Sequence, residues 1–180
     1  KILRFDALPS TQDRAIELAR NAEEREWSAV VADSQTKGRG TGGNEWYSPP
    51  GQNLYFSIIA WPPEDMADMA LVNHTAALAV AETLSGYGFE CRIKWPNDVL
   101  VGGRKICGIL SGSGIDGRGG RFVVCGIGLN VNLEKFPPKL SGRATSLRLE
   151  TGRDADREAL LADLLAALRE RLGLLFKRGF

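Results

Sequence analysis

The 180-residue chain has little histidine and little cysteine, and these shortages exclude several kinds of catalytic centre. His74 is the only histidine, and its segment has helical periodicity, so we expect it to pack or to face solvent. A serine–histidine triad and other acid–base chemistry by histidine are therefore not expected. The three cysteines, Cys91, Cys107 and Cys125, lie far apart in apolar segments. They predict reduced core thiols in a cytoplasmic protein, without a zinc site.

The chain also lacks long hydrophobic runs and an excess of charge of one sign. No apolar run approaches the roughly 20 residues that span a bilayer, and the first residues do not form a signal peptide. The 23 Lys and Arg residues nearly balance the 22 Asp and Glu residues, so binding to nucleic acid or to an anionic membrane is not expected in general. The length and an apolar content of 43% fit a single domain over residues 1–180.

Short apolar segments separated by tight turns occupy most of the chain. Turns at Gly102-Gly103 and at residues 112–120 favour pairing between neighbouring strands, which indicates an antiparallel or mixed sheet. Helical spacing of apolar residues predicts helices after Ser10 or Thr11, over residues 66–84 (with Met69 on the apolar face) and from residue 154 onward, with a loop over residues 132–147. Together these predict an α+β fold in which helices flank a mixed, largely antiparallel sheet. The predicted strands cover residues 2–5, 28–33, 54–61, 90–94, 99–101, 105–111 and 122–131.

A glycine-rich loop, residues 37–46, stands between two of the predicted strands. Its four glycines allow N–H groups to gather around an anion, and Arg39 adds a fixed charge. The spacing Gly-x-Gly-x-x-Gly from Gly38 to Gly43 resembles a dinucleotide fingerprint, but that fingerprint must open a helix. Because Pro49 and Pro50 follow, no helix can begin there. The loop is therefore an anion site of another kind, or a flexible hairpin connection.

Four motifs in a fixed order accompany this loop. They are residues 9–12 (PSTQ), Gln35 with residues 38–46 (GRGTGGNEW), residues 94–98 (KWPND) with residues 104–110 (RKICGIL), and residues 126–132 (GIGLNVN). In order and spacing they closely resemble the catalytic domain of biotin protein ligases, over nearly the whole chain. The KWPND motif followed by GRKxxGIL is the most specific part of the resemblance.

The resemblance implies a fold related to class II aminoacyl-tRNA synthetases and a reaction in two steps. Biotin and ATP, with Mg²⁺, would give biotinyl-5′-AMP and pyrophosphate. A lysine of a biotin carboxyl carrier protein, from acetyl-CoA carboxylase or a similar carboxylase, would then receive the biotin. Family members often pair through exposed sheet edges, so a homodimer is possible.

The resemblance also assigns roles to individual residues. Lys94 and Arg39 would stabilise the charge that develops at phosphorus, as the catalytic pair. Neutral donors and acceptors suit the ureido ring of biotin, because an unpaired charge there would be costly to desolvate. The predicted biotin-binding residues are Ser10, Thr11, Gln12, Gln35, Arg39, Gly40, Thr41, Lys94 and Gly108. For Ser10 and Thr11 the alternative role is helix capping.

A second set of residues would bind the nucleotide. Trp46 would stack on adenine or instead anchor the next strand, and Asn130 and Asn132 would read the adenine edge or form a turn. Lys105 would contact phosphate or be a solvated hairpin charge, and Asp98 would hold Mg²⁺, orient Lys94 or cap a turn. The predicted nucleotide-binding residues are Arg39, Trp46, Asn97, Lys105, Asn130 and Asn132.

Two departures from the family pattern affect these expectations. Thr41 occupies the position where the family commonly has a second arginine. One guanidinium fewer is therefore available to retain biotinyl-AMP. The chain begins near the catalytic domain and ends after the last helix, so we expect neither an N-terminal helix-turn-helix domain nor a C-terminal β-barrel, and no DNA binding. We also expect residues 38–46 and 134–142 to be mobile without ligand. A lipoate-type ligase and a non-catalytic biotin- or carrier-binding module remain as alternatives.

Overall fold

The secondary structure comes from a computed structural model that describes residues 1–22, 26–66 and 70–178. The described strands are β1 (Ile2–Leu8), β2 (Ser28–Gln35), β3 (Leu54–Ala60), β4 (Cys91–Lys94), β5 (Asp98–Val101), β6 (Arg104–Ile115) and β7 (Arg121–Leu129). The described α-helices are α1 (Thr11–Arg20), α2 (Ala70–Gly86), α3 (Leu147–Thr151) and α4 (Arg157–Arg178). A single 3-10 turn, Thr41–Gly43, lies in the glycine loop.

All seven described strands form one sheet in the order β1-β2-β3-β7-β6-β5-β4. The pair β1–β2 is parallel, and every other neighbouring pair is antiparallel. Strand β3 is buried along its whole length near the middle of the sheet. The prediction of a mixed, largely antiparallel sheet in an α+β fold is therefore confirmed.

Each face of the sheet carries its own hydrophobic core, because successive side chains of a strand point to opposite faces. Val30 of β2 faces α1 and packs with Ala15 and Ala19, whereas its neighbours Ala29 and Val31 belong to the opposite core. Helix α2 packs on that opposite face, and α4 packs against α2 and contributes to the same core. The predicted apolar face of the last helix is buried there, through Leu161, Leu164, Leu168, Leu172 and Leu175.

Several boundaries differ from the sequence-based expectations. Strands β1 and β2 continue to Leu8 and Gln35 instead of ending at residues 5 and 33. Strand β6 continues to Ile115 and pairs with β7, so the glycine-rich turn is shorter than residues 112–120. Gly114 permits this extension, because a Cβ atom there would lie 2.5 Å from the Phe122 ring. A short helix, α3, begins at the last residue of the expected loop, Leu147, and is capped by Gly152, whose φ of 74° favours glycine. The described part of α2 begins at Ala70, whereas the predicted helix begins at residue 66. Met69 lies outside the described residues.

The three cysteines are free thiols, as predicted, and two of them lie in the core. Cys107 and Cys125 are fully buried, and burial raises the pKa of both thiols, that of Cys125 to about 12. Cys91 is half-buried, and burial also raises its pKa. No helix within the described ranges is both long and apolar enough to pass through a bilayer.

Candidate functional site

Two cavities meet at Trp46 on the side of the sheet where β6, β7 and the glycine loop come together. The narrow cavity has a volume of about 40 Å³, and the wide cavity has a volume of about 750 Å³. The narrow cavity contains eight of the nine predicted biotin-binding residues, namely Ser10, Thr11, Gln12, Gln35, Arg39, Gly40, Thr41 and Gly108. The ninth, Lys94, lines the wide cavity. Segments far apart in the chain therefore build one connected site.

The glycine loop folds into a small hairpin above the two cavities. Arg39 and Glu45 face each other as an isolated antiparallel bridge, and the Trp46 N–H donates to the Gly38 carbonyl at 2.9 Å. Gly42 has a φ of 64°, which a residue with a side chain rarely adopts. The next element after the loop is strand β3 rather than a helix, as the two prolines predict.

The closed end of the narrow cavity is a chain of neutral hydrogen bonds. Ser57 Oγ donates to Thr11 Oγ1 at 2.9 Å, and Thr11 Oγ1 donates to Gln35 Oε1 at 3.2 Å. The Gln35 side chain then donates to Ser48 Oγ at 2.9 Å. Gln35 Oε1 also accepts the first N–H of α1, from Thr11, at 2.8 Å. This end of the cavity is therefore polar, uncharged and held in place by three secondary-structure elements.

Gln12 and Ser10 complete this polar end. Gln12 is 5% exposed, and its Nε2 donates to the Val124 carbonyl at 3.3 Å. Gly126 makes room for it, because a Cβ atom there would lie 2.5 Å from Gln12 Oε1. Ser10 is the N-cap of α1, so the capping role left open from the sequence is present, and the same residue lines the cavity.

The floor of the narrow cavity consists of two glycines and carries the indole of Trp46. Gly108 and Gly128 face each other on β6 and β7, and we call this pair the glycine floor. A Cβ atom would meet the Trp46 ring at 2.7 Å from Gly108 and at 2.4 Å from Gly128. Lys105 Nζ lies 5.3 Å from the centre of a Trp46 ring, within cation–π range.

The charged residues of the site differ in how they are paired. Arg39 forms an ion pair with Asp13 of α1, and both side chains are about half exposed. Lys105 Nζ lies 2.6 Å from Asp98 Oδ1, an ion pair that does not have hydrogen-bond geometry. Lys94 is exposed at the edge of the wide cavity. Lys94 is therefore freer to approach a ligand than Arg39 or Lys105.

The three predicted asparagines have different surroundings. Asn97 lines the narrow cavity and donates to the Ile109 carbonyl at 2.9 Å. Asn130 lines the wide cavity and donates to the Thr145 carbonyl at 3.0 Å. Asn132 lines neither cavity, because its amide binds both main-chain groups of Ala155. The structure thus gives Asn132 an anchoring role, and nucleotide binding by this residue stays a prediction without geometric support.

Several site residues were not predicted from the sequence. Ser57 and Ser48 belong to the polar chain, and Asp13 pairs with Arg39. Phe136, Lys139 and Arg143 line the wide cavity from the loop before α3. The basic and aromatic content of that loop is the signal that could have identified this last group. His74, by contrast, lies outside both cavities with its ring 6.3 Å from that of Trp95, in keeping with a packing role.

The wide cavity offers few carboxylates to a magnesium ion. Its acidic side chains are Asp98 and Glu45. Within the described ranges, no three or more His, Cys, Asp or Glu side chains are grouped so that they could hold a metal ion. Mg²⁺ that arrives with a nucleotide takes most of its ligands from phosphate and water, with one or two carboxylates from the protein. The residues present fit an ion of that kind, with Asp98 as the carboxylate.

Comparisons with known proteins agree on a family. The model of the biotin/lipoate A/B protein ligase family matches residues 5–130. The bifunctional ligase/repressor BirA of Bacillus subtilis is 36% identical over 99% of this chain and 56% of its own length. The biotin–[acetyl-CoA-carboxylase] ligase of Paracoccus denitrificans is 37% identical over 87% of this chain and 66% of its own length.

A solved structure resembles the fold as well. The biotin protein ligase of Aquifex aeolicus in complex with biotin and ATP superposes with a TM-score of 0.84 at 32% identity. The match covers 99% of this chain and 72% of that one. This chain spans about half the length of the BirA proteins that it matches.

Proposed function

The chain belongs to the biotin/lipoate A/B protein ligase family, and from this premise we propose that it binds biotin in the narrow cavity and ATP in the wide cavity. It would join them as biotinyl-5′-AMP and then transfer the biotin to a lysine of a biotin carboxyl carrier protein. The reacting groups would meet where the cavities meet, at the residues that line both, which are Gly40, Thr41, Trp46 and Lys105.

The observation that carries this proposal is the neutral polar chain at the closed end of the narrow cavity. Thr11, Gln35 and Ser57 are held by one another, and Gln12 lies beside them. A ureido ring offers both N–H donors and a carbonyl acceptor, so it can pair with such groups without burying a charge. With the ring at this end, the acid group would point toward the wide cavity.

The wide cavity has the composition expected for a nucleotide site. Basic side chains (Lys94, Lys105, Lys139 and Arg143) outnumber the acidic pair Asp98 and Glu45, and aromatic rings are available from Trp46, Tyr47 and Phe136. Basic groups favour phosphate oxygens, and flat rings favour adenine.

The chemistry requires charge at the α-phosphate rather than a protein nucleophile. The biotin carboxylate attacks phosphorus and pyrophosphate leaves, while negative charge grows on the equatorial oxygens. Lys94 would stabilise this charge from the wide cavity, and Arg39 from the glycine loop once it exchanges Asp13 for the ligand. Magnesium bound with ATP, with Asp98 as its protein ligand, would supply further positive charge at the phosphates.

The family includes lipoate ligases, so lipoate is the second candidate substrate. The dithiolane ring of lipoate has no N–H groups or carbonyl to pair with Gln35, Gln12 and Thr11. A buried polar group left unpaired typically costs about 1–3 kcal/mol, which favours biotin over lipoate in this cavity.

The decisive experiment is a pyrophosphate-release assay with the purified chain, biotin, ATP and Mg²⁺, combined with mass spectrometry for biotinyl-AMP. We expect release that requires biotin and is not supported by lipoate. Biotin binding without pyrophosphate release would instead favour a non-catalytic module, and release with lipoate alone would favour the lipoate ligase.

Other parts of the proposal concern the whole protein. Transfer to a carrier domain requires a second assay, in which a biotin carboxyl carrier domain gains the mass of biotin. A homodimer, the absence of DNA binding, the cytoplasmic location and the organisation of residues 1–180 as one catalytic domain stay predictions. The B. subtilis relative carries the name ligase/repressor, so operator binding should be measured separately.

A further inference from the structure

A buried polar cluster at the start of β3 lies outside both cavities. Its centre is Asn53, which is 1% exposed and immediately precedes the strand. Asn53 Oδ1 accepts from the Val131 N–H at 2.8 Å, and Asn53 Nδ2 donates to the Tyr55 hydroxyl at 3.0 Å. That hydroxyl donates to the Pro49 carbonyl at 3.1 Å. The Asn53 side chain therefore joins the turn before β3 to the segment that follows β7.

The main chain of Asn53 is itself held firmly. Its carbonyl accepts from the Arg157 guanidinium at 3.0 Å, and Arg157 also pairs with Asp33 Oδ1 at 3.0 Å. The other oxygen of Asp33 accepts from the Gly51 N–H at 2.8 Å. Groups from α4, β2 and the preceding turn thus fix the backbone from which the Asn53 side chain reaches out.

The segment that Asn53 holds, residues 130–132, has three successive N–H groups with three different acceptors. The Asn130 N–H donates to a carbonyl of β6 at 2.9 Å, and the Asn132 N–H donates to the Gln52 carbonyl at 2.7 Å. Only the Val131 N–H, between them, depends on a side chain as its acceptor. Val131 is fully buried, so replacing Asn53 by an apolar residue would leave this N–H unpaired.

Asn130 presents a hydrogen-bond acceptor to the wide cavity. Its Nδ2 donates to the Thr145 carbonyl at 3.0 Å, and because a carbonyl can only accept, the orientation of the amide is fixed. The Asn130 Oδ1 makes no hydrogen bond within the described part of the chain, and the residue lines the wide cavity. An acceptor in this place pairs with the 6-amino group of adenine but not with a 6-oxo group, which is itself an acceptor.

From this arrangement we propose that Asn53 is a positioning residue that sets the base selectivity of the nucleotide site through Asn130. By holding the Val131 N–H, Asn53 fixes the direction in which the neighbouring Asn130 side chain leaves the main chain. The Asn130 Oδ1 then stays where the amino group of adenine can reach it. This inference rests on the proposed binding of ATP in the wide cavity.

The inference is tested by comparing ATP with inosine triphosphate, which has the same ribose and triphosphate but a 6-oxo group on its base. Pyrophosphate release with saturating biotin gives kcat/KM for each nucleotide. We expect the wild-type chain to favour ATP by about 100-fold, since one well-placed base contact is worth roughly 10- to 100-fold. Asn53→Leu should lower this ratio by about tenfold, through a higher KM for ATP with little change in kcat.

The matched control is Tyr55→Phe, which damages the same cluster on its other side. It removes the partner of Asn53 Nδ2 but keeps the bond from the Val131 N–H to Asn53 Oδ1. A general loss of stability would appear in both variants, whereas the nucleotide ratio should change only in Asn53→Leu. Asn53→Asp keeps an oxygen for the Val131 N–H and should retain the wild-type ratio.

If Asn53→Leu does not fold, Asn53→Ser replaces it, because serine is smaller and its side chain is shorter by one bond. A wild-type ratio in either folded variant, or the same change in Tyr55→Phe, would overturn the inference. A wild-type chain that uses both nucleotides equally well would overturn it too.

Calorimetry with ATP or inosine triphosphate in the absence of biotin gives the same comparison without turnover, as a ratio of dissociation constants. A wild-type chain that binds ATP but releases no pyrophosphate with biotin would refute the proposed enzyme, while calorimetry would still decide the role of Asn53. A wild-type chain that binds neither nucleotide would refute both proposals.

Discussion

The two cavities on either side of Trp46 are built on opposite physical principles. The narrow cavity is enclosed by β6, β7 and the start of α1, and the polar side chains at its closed end are neutral and mutually hydrogen-bonded. The wide cavity is lined by exposed loop residues such as Lys139 and Arg143 and by charged groups that are free or only ion-paired. A rigid neutral site selects one shape and one hydrogen-bond pattern, whereas an open charged site stabilises phosphate with less geometric constraint.

From this difference we expect the narrow cavity to select the substrate and the wide cavity to stabilise charge. Removing a buried hydrogen-bond partner leaves the remaining groups unpaired, so changes in the narrow cavity should alter substrate binding. Removing a cation from the wide cavity should alter the rate of the chemical step or the affinity for nucleotide. Substitutions confined to one cavity at a time separate the effect on substrate binding from the effect on the chemical step and on nucleotide affinity.

The largest effect is expected for Lys94→Ala, which removes an exposed charge of the wide cavity. Loss of one charge-stabilising group costs about 3 kcal/mol in the transition state, or roughly 10²- to 10³-fold in kcat. Pyrophosphate release under saturating biotin and ATP measures this change. Arg92→Ala, on the same strand but outside both cavities, is the matched control and should retain wild-type kcat. A similar loss in both variants would point to damage to β4 instead.

The next effect is expected for Gln35→Leu, which breaks the polar chain at the closed end of the narrow cavity. Thr11 and Ser48 would each lose a partner, so biotin binding should weaken by about 1–3 kcal/mol while ATP binding is retained. Calorimetry with each substrate separates the two affinities. Gln52→Leu, outside both cavities, is the control. Equal weakening of biotin and ATP binding would contradict the division between the cavities.

A smaller effect is expected for the double variant Lys139→Ala with Arg143→Ala. Both side chains are exposed, so their loss should raise the KM for ATP by only a few-fold, about 1 kcal/mol, with little change in biotin affinity. The effect should shrink at high salt, because screening weakens exposed charges. Lys135→Ala, in the same loop but outside the wide cavity, should behave as wild type. An unchanged KM in the double variant would remove these residues from the nucleotide site.

The smallest effect near neutral pH is expected from the thiols buried in the core, Cys107 and Cys125. Burial raises the pKa of Cys125 from 9.0 to about 12, so the folded protein keeps a proton that the unfolded chain loses. This contribution to the free energy of unfolding is complete below pH 9 and is lost as the pH rises toward 12. Urea unfolding at a series of pH values should give constant stability from pH 7 to 8.5 and a decline above pH 9. Cys125→Ala should reduce the decline.

The fold was largely predictable because its strands and helices carry local signals. Alternation, glycine turns and the leucine spacing of α4 come from adjacent residues, so a sequence pattern can reveal them. The extension of β6 to Ile115 was not predictable, because it depends on Phe122 filling the space beside Gly114. Helix α3 was missed although Ser146 caps it and Gly152 ends it, since five residues give too short a periodic signal.

The sequence predicted which residues line the narrow cavity, but not which partners hold them in place. Sequence motifs identified Gln35, Gly108 and most other residues of the narrow cavity. The pairing of Arg39 with Asp13 and the anchoring of Asn132 by Ala155 depend on residues more than 20 positions away. Spacing along the chain contains no information about such partners.

The sequence by itself thus determined the class of fold, the polar residues that line the narrow cavity and the family of proteins to which the motifs belong. Only the tertiary structure decided that Trp46 covers Gly108 and Gly128, that Lys94 lies exposed at the wide cavity, and that two cavities of unequal size share one wall. The physical reason is that composition and periodicity act through neighbours in the chain. The position of a ring and the pairing of a charge depend instead on which distant segments the sheet brings within a few ångströms.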